Sequence, residues 1–281
     1  MDYKTRLLVG GLMFPEGPRW HDGKLWFSDM NAGKVMYVDL MGKLELIAEV
    51  PGSPSGLGWL PDGRLLIVSM LDRRLLRLES DGLHEVANLR EMASYHCNDM
   101  VVDQHGRAYI GNFGFDLGTG EPPKPAEIIL VEPDGKARVV ADDLLFPNGT
   151  VITPDHKTLI VAETYGARLT AFDIEPDGSL THRRVWASMV NEAPDGICLD
   201  EEGGIWVASP VGSEVIRVKE GGEVTHRIQA RATTYACMLG GEEGRTLFIL
   251  TSEPPDPFED RHGPGGSIEI VEVEIPGAGK P

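Results

Sequence analysis

Basic side chains are scarce in this 281-residue chain: 26 Lys and Arg stand against 44 Asp and Glu, a formal net charge of −18. No basic patch interrupts that imbalance, so nucleic acid and acidic membrane surfaces are disfavoured as partners. Cysteine is rarer still. Cys97, Cys198 and Cys237 are odd in number, without CxxC or other metal-like spacing. Each begins a strand-like run, where a small buried thiol packs well. No apolar run approaches the roughly 18 residues of a membrane span. Met1-Asp2-Tyr3-Lys4-Thr5-Arg6 lacks the apolar stretch of a signal peptide, so a reduced, cytoplasmic location is expected. There is no GxGxxG, Walker loop or HExxH, and no GxSxG elbow. Gly52-Ser53-Pro54-Ser55-Gly56 puts proline where the nucleophile of such an elbow should be. Gly111, Gly114, Gly118 and Gly120 are wrongly spaced for a phosphate cradle and fit a flexible lid instead.

What is present is repetition. Phe14-Pro15-Glu16-Gly17, Ser53-Pro54-Ser55-Gly56, His96-Cys97-Asn98-Asp99, Phe146-Pro147-Asn148-Gly149 and Ala193-Pro194-Asp195-Gly196 each precede a strand-like run. Their third residues lie 39, 43, 50 and 47 residues apart. Repeats of that length, each with several short strands, indicate a propeller. The unit from Pro194 reads as strands at 195–199, 205–208, 214–219 and 223–229, with turn residues between them. A sixth unit, from Tyr235, lacks a fourth strand, and Lys4 to Val9 belong to no unit. Pairing the two would close the ring and hide both open edges. The expectation is one all-β domain over 1–281, a six-bladed propeller of four-stranded antiparallel blades closed by its N-terminal strand. The long Gly- and Pro-rich loops at 113–125 and 253–266 should overhang the repeated phrases.

A propeller gathers equivalent positions around one axis. Glu16, Asn98, Asn148 and Asp195 should therefore meet. Two carboxylates about 4 Å apart repel by on the order of 4 kcal/mol at an effective dielectric near 20, and a cation removes that penalty. With two amide oxygens the set is all-oxygen and suits one hard divalent ion. Ca²⁺ is the first choice; Mg²⁺, Mn²⁺ and Zn²⁺ also fit, although no His on a ligand rung argues against a dedicated zinc site. Register separates Asp195 from its look-alikes. Pro-Asp-Gly at Pro61, Pro133 and Pro176 falls between strands and reads as a turn.

Phe14-Pro15-Glu16-Gly17-Pro18-Arg19-Trp20, Asn98-Asp99 with Asp103 and Gly106-Arg107, Phe146-Pro147-Asn148-Gly149, and Pro194-Asp195-Gly196 with Trp206-Val207-Ala208 resemble the gluconolactonase–regucalcin family. The resemblance runs in order along nearly the whole chain. It implies a six-bladed propeller with a divalent metal in its channel and lactone hydrolase activity. It further implies that Glu16, Asn148 and Asp195 are metal ligands, and that Asn98 and Asp99 form the substrate-side pair, with Asn98 near the metal. Sugar-lactonase members carry Arg two places before that Asn; here the residue is His96. An imidazole does not replace a guanidinium fork on a polyhydroxylated substrate, so an aldonolactone is not the expected substrate.

The expected reaction is hydrolysis of a lactone or related small-molecule ester by metal-activated water. Asp195 is the first candidate base, Asp99 the second, and His96 a third, its ordinary pKa being near neutrality. His96 is equally readable as a wall residue. Asn112, Phe113, Glu163 and Tyr165 follow second strands and are expected to line the mouth. Three rival readings stand beside this one: a phosphotriesterase on the same ring, metal-free carbon–carbon bond formation of the strictosidine-synthase type, and a non-enzymatic binding propeller. Glu16, Asn148 and Asp195 argue against the second. A binding propeller would not gather acidic residues. Nothing in the sequence calls for an obligate protein partner.

Overall fold

Alternating short apolar runs and Gly- or Asp-containing turns fold into six four-stranded antiparallel sheets, arranged as a six-bladed β-propeller. The computed structural model describes residues 3–253 and 264–279. Blades 1 to 5 span 15–49, 54–88, 97–144, 147–188 and 197–229, each a simple meander. Blade 6 takes three strands from 233–272 and its outer strand from Arg6–Leu12, which pairs with Gly266–Glu272. The expected closure is present, with the N-terminal strand lying slightly later than Lys4 to Val9. A single 3₁₀ turn, Met30–Ala32, is the helical element among the described residues, and no helix there is long and apolar enough to cross a membrane.

The first strand of every blade touches the first strands of its two neighbours, so six inner strands line one channel. The core lies between blades rather than around that axis. Leu66, Val68 and Leu75 of blade 2 pack with Met100, Ile110 and Ile129 of blade 3. Trp20 of blade 1 stacks on Phe248 of blade 6 at 5.4 Å.

The Asp residues of the other Pro-Asp-Gly turns behave as turn chemistry requires. Asp62, Asp134 and Asp177 each accept the backbone N–H two residues ahead, from Arg64, Lys136 and Ser179. Asp195 does not. Its own N–H donates to Ala208 and its carbonyl accepts from Gly149 of the preceding blade, which leaves its carboxylate to face the channel group. Of the two long loops, 113–125 lies over blades 3 and 4 through its aromatic residues. Most of the second, 254–263, lies outside the described residues.

Candidate functional site

Four of the five repeated phrases run into the inner strands and carry an irregularity there, whereas Ala193 to Gly196 stands just before Ile197–Leu199, whose pairing is regular. Antiparallel register slips between Glu16 and Arg19, Pro54 and Leu57, Cys97 and Met100, Pro147 and Thr150, and Thr234 and Ala236. A bulge turns a side chain out of the pleat it would otherwise occupy. Five of the six inner strands therefore re-aim one residue at the same height, and that residue is the polar one.

Small residues after each rung let the strands crowd together. A Cβ on Gly149 would lie 2.6 Å from the carbonyl oxygen of Asp195, and one on Gly56 would lie 2.4 Å from the Met100 nitrogen. Blade 3 breaks the pattern by placing Asp99 where blades 1, 2, 4 and 5 have Gly. Its carboxylate is held by Arg19 Nη2 at 2.7 Å, and the same guanidinium reaches the carbonyls of Pro18 and Met100. Both side chains are buried.

The structure brings Glu16, Asp195, Asn98, Asn148 and Asp99 to one place. Burial pushes the Asp195 carboxyl well above its usual range, and the charges of Glu16 and Asp99 push it the same way. Glu16 is likewise raised by desolvation and by Asp99, against a hydrogen bond from the Gly17 N–H at 2.7 Å. Asp99 is raised by burial, with Arg19 opposing. Asn148 hydrogen-bonds Asp195 and donates to Thr164 Oγ1 at 3.2 Å. Asn98 donates to the Pro147 carbonyl and accepts from Ser55 Oγ, each at 3.4 Å. Arg19 pairs with Asp99, and among the described residues no ion pair reaches Glu16 or Asp195.

A buried and a half-buried carboxylate with no ion pair to either, beside two amide oxygens, fit a hard divalent ion. Glu16, Asp195, Asn148 and Asn98 are the residues present to hold it. Among the described residues no group of three or more His, Cys, Asp or Glu forms a metal cluster, so the fit rests on this mixed carboxylate and amide set.

The other expected site residues divide. His96 is half-buried, its imidazole held below the usual value by burial, and its ring lies 4.1 Å from Tyr95 and 6.1 Å from Phe113. Phe113 stacks on Phe146 at 4.5 Å, and Tyr165 packs at 5.5 Å from Phe146. Asn112 and Glu163 are placed elsewhere than the mouth. Asn112 accepts from Tyr95 and Gly114 N–H and donates to Glu127, so its polar atoms serve the loop. Glu163 is buried against Arg168, Arg183, Thr170 and the Leu145 N–H. Thr164, one residue on, turns inward to Asn148 and donates to the Pro194 carbonyl at 2.8 Å. A strand alternates its faces at every residue, so Glu163 and Thr164 point opposite ways and Thr164 meets the ring.

Three further residues belong to the site. Tyr235 occupies the sixth rung by the same register; burial raises its phenol, and the charges of Asp195 and Glu16 push it the same way. Counting back from the sixth unit finds it. Arg19 lies in the first resemblance motif, but its reach to Asp99, like that of Thr164 to Asn148, joins different blades or strands and carries no sequence signal. A cavity of about 1130 Å³ also opens here, bordered by Phe14 and Ser53, each two residues before a rung, and by Met13, Met30, Met70 and Leu71. None of the four oxygen donors lines it.

Residues 14–253 match the family described as SMP-30/Gluconolactonase/LRE-like region. The chain is 29% identical over 191 residues to 6-deoxy-6-sulfogluconolactonase of Pseudomonas putida, covering 66% of this chain and 64%, less than two thirds, of that protein. It is 26% identical over 257 residues to regucalcin of Danio rerio, covering 84% and 82%. Among solved structures, a calcium-binding protein, regucalcin, from Agrobacterium tumefaciens superposes with a TM-score of 0.83 at 22% identity over 100% of this chain and 97% of that one. The last likeness is one of fold.

Proposed function

The chain belongs to the SMP-30/gluconolactonase/LRE-like family, and from that premise we propose that its channel hydrolyses the ring ester of a lactone with the help of one divalent cation. Glu16, Asn148 and Asp195 hold the ion, with Asn98 beside it, and Ca²⁺ is the first choice. The observation that carries this reading is the meeting of Glu16 and Asp195, from blades 1 and 5, where desolvation raises both carboxyls and, among the described residues, no ion pair reaches either; Arg19, paired with Asp99, eases Glu16 alone. The name of one relative, a 6-deoxy-6-sulfogluconolactonase, supports the reaction class.

A divalent ion in this place supplies Lewis acidity to the carbonyl oxygen and offsets the charge that grows there. The chain supplies the rest. Asp195 accepts the proton of the attacking water as its oxygen bonds to the carbonyl carbon. The ring C–O bond then breaks, and the same proton passes to the departing alkoxide, leaving a hydroxy acid. Asp99 is less suited to this step because Arg19 occupies its Oδ1. His96 stands two residues from Asn98, at the edge of the aromatic wall, where it orients rather than reacts.

The test strips the protein with chelator and returns Ca²⁺, Mg²⁺, Mn²⁺ or Zn²⁺ while lactone hydrolysis and thermal stability are followed. Turnover should vanish and return with one ion. That ion should stabilise the fold by roughly 2.7 kcal/mol at a hundred times its Kd. Glu16→Gln and Asp195→Asn should lose both responses and stay folded. Full turnover in chelator, or in either variant, contradicts the proposal.

A further inference from the structure

The residues two positions before the rungs are Phe14, Ser53, His96, Phe146, Ala193 and Thr233. They form the ring next to the oxygen donors, and none is Lys, Arg, Asp or Glu. Polyol recognition uses directed polar and charged groups; this rim carries three rings, and its remaining residues, Ser53, Ala193 and Thr233, are small and uncharged. Phe14 lies 4.6 Å from Tyr235, and Phe146 stacks on Phe113 with Phe115 and Tyr165 packed at its edges. Four of the eight phenylalanines in the chain sit here rather than in the blade seams. Phe14, Phe113, His96 and Tyr235 are each half-buried and keep part of their surface exposed.

Backbone strain marks the same position. Phe146 is held at φ 61°, a left-handed conformation that is costly for an L-residue with a bulky side chain. Ser53 shares that conformation in blade 2, so the loop geometry imposes it. Blade 4 nonetheless keeps a large ring there, pinned by three others. Next to Phe14 the cavity of about 1130 Å³ continues the apolar surface through Met13, Met30, Met70 and Leu71; its charged lining residues, Glu49 and Glu253, are both acidic. Methionine suits such a role because its flexible thioether adapts to varied shapes.

We infer that the lactone this site takes carries an apolar, aryl or alkyl substituent, with the ester ring at Glu16 and Asp195 and the substituent in the cavity walled by Phe14, Met30 and Met70. This inference rests on the lactonase reading and narrows it to a substrate class. One apolar group more or less in such a pocket changes kcat/KM by about tenfold to a hundredfold.

Three substrates with the same six-membered ring separate the possibilities: δ-valerolactone, its phenyl-substituted form and glucono-δ-lactone. The expected order of kcat/KM is phenyl first, unsubstituted second, polyhydroxylated last. Phe14→Ser and Met70→Gln should each reduce the ratio of phenyl to unsubstituted lactone about tenfold, and the wild-type order itself needs no variant to fold. Preference for glucono-δ-lactone overturns the inference while leaving the lactonase reading intact. If no lactone is hydrolysed with any of the four ions, the reaction reading falls. Calorimetry with the phenyl-substituted and polyhydroxylated ring lactams then decides the site alone. Tighter binding of the phenyl lactam upholds the apolar site, and equal or reversed affinity overturns it.

Discussion

Glu163 and Thr164 are neighbours with opposite fates. Thr164 helps position Asn148, whereas the Glu163 carboxylate accepts from Arg168 at 2.8 and 2.9 Å and from the Leu145 N–H at 2.9 Å. Those donors hold the Glu163 carboxyl below its usual range despite burial, which opposes them. A carboxyl whose pKa is lower folded than unfolded stabilises the protein above the unfolded value and loses that contribution as pH falls through the folded one. Glu163→Gln should therefore cost about 2 kcal/mol near pH 7. The gap to wild type should close as pH drops below about 4. Urea titrations at several pH values check this; a gap that is flat with pH would show that the charge contributes nothing.

At the scale of the element, two devices recur. The inner strand bulges in five blades, blade 5 excepted, and in blades 1, 3, 4 and 5 the end of the second strand anchors the loop that leads into the rung. Asp29 accepts from Met13 and Phe14 N–H, Asn112 from Tyr95, Glu163 from Leu145, and Ser209 Oγ from Ala193. These anchors are equivalent by position, which is why Asn112 and Glu163 look like mouth residues in the sequence and act as braces in the fold. Crowding of the inner strands predicts a second cost. Gly149→Ala puts a methyl against the backbone of Asp195 and Ile197. Its expected penalty is about 1–3 kcal/mol, with weaker calcium binding because Asp195 must shift. Denaturant unfolding and a calcium titration measure both; wild-type values in each would mean the strands can part without consequence.

For the whole molecule, closure governs stability. Arg6–Leu12 supplies the outer strand of blade 6 and buries Leu12 completely enough to join the core shared with blades 1 and 5. Removing residues 1–12 bares the edge of Gly266–Glu272, an invitation to pairing with another chain. A loss of about 4 kcal/mol corresponds to a fall in Tm of roughly 10 °C. Calorimetry with sedimentation should show that drop and concentration-dependent association. A truncated chain as stable and monodisperse as the full one would place the closure elsewhere. The seam between blades 5 and 6 also brings Cys198 and Cys237 within 3.9 Å, both thiols free and buried.

Repeat length, turn spacing and the polar third residue of each phrase are local properties, so the chain alone determined six blades, the closing strand and the rungs Glu16, Asn98, Asn148 and Asp195. Even the sixth rung, Tyr235, was there to be counted. Three-dimensional structure alone decided which way side chains point after the bulges, that Arg19 crosses from blade 1 to hold Asp99, and that Thr164 rather than Glu163 faces the ring. It also decided that Phe113 and Phe146 meet face to face beside the site. Those outcomes depend on the approach of strands tens of residues apart and on which faces a bulge exchanges, and neither is written in any short stretch of sequence.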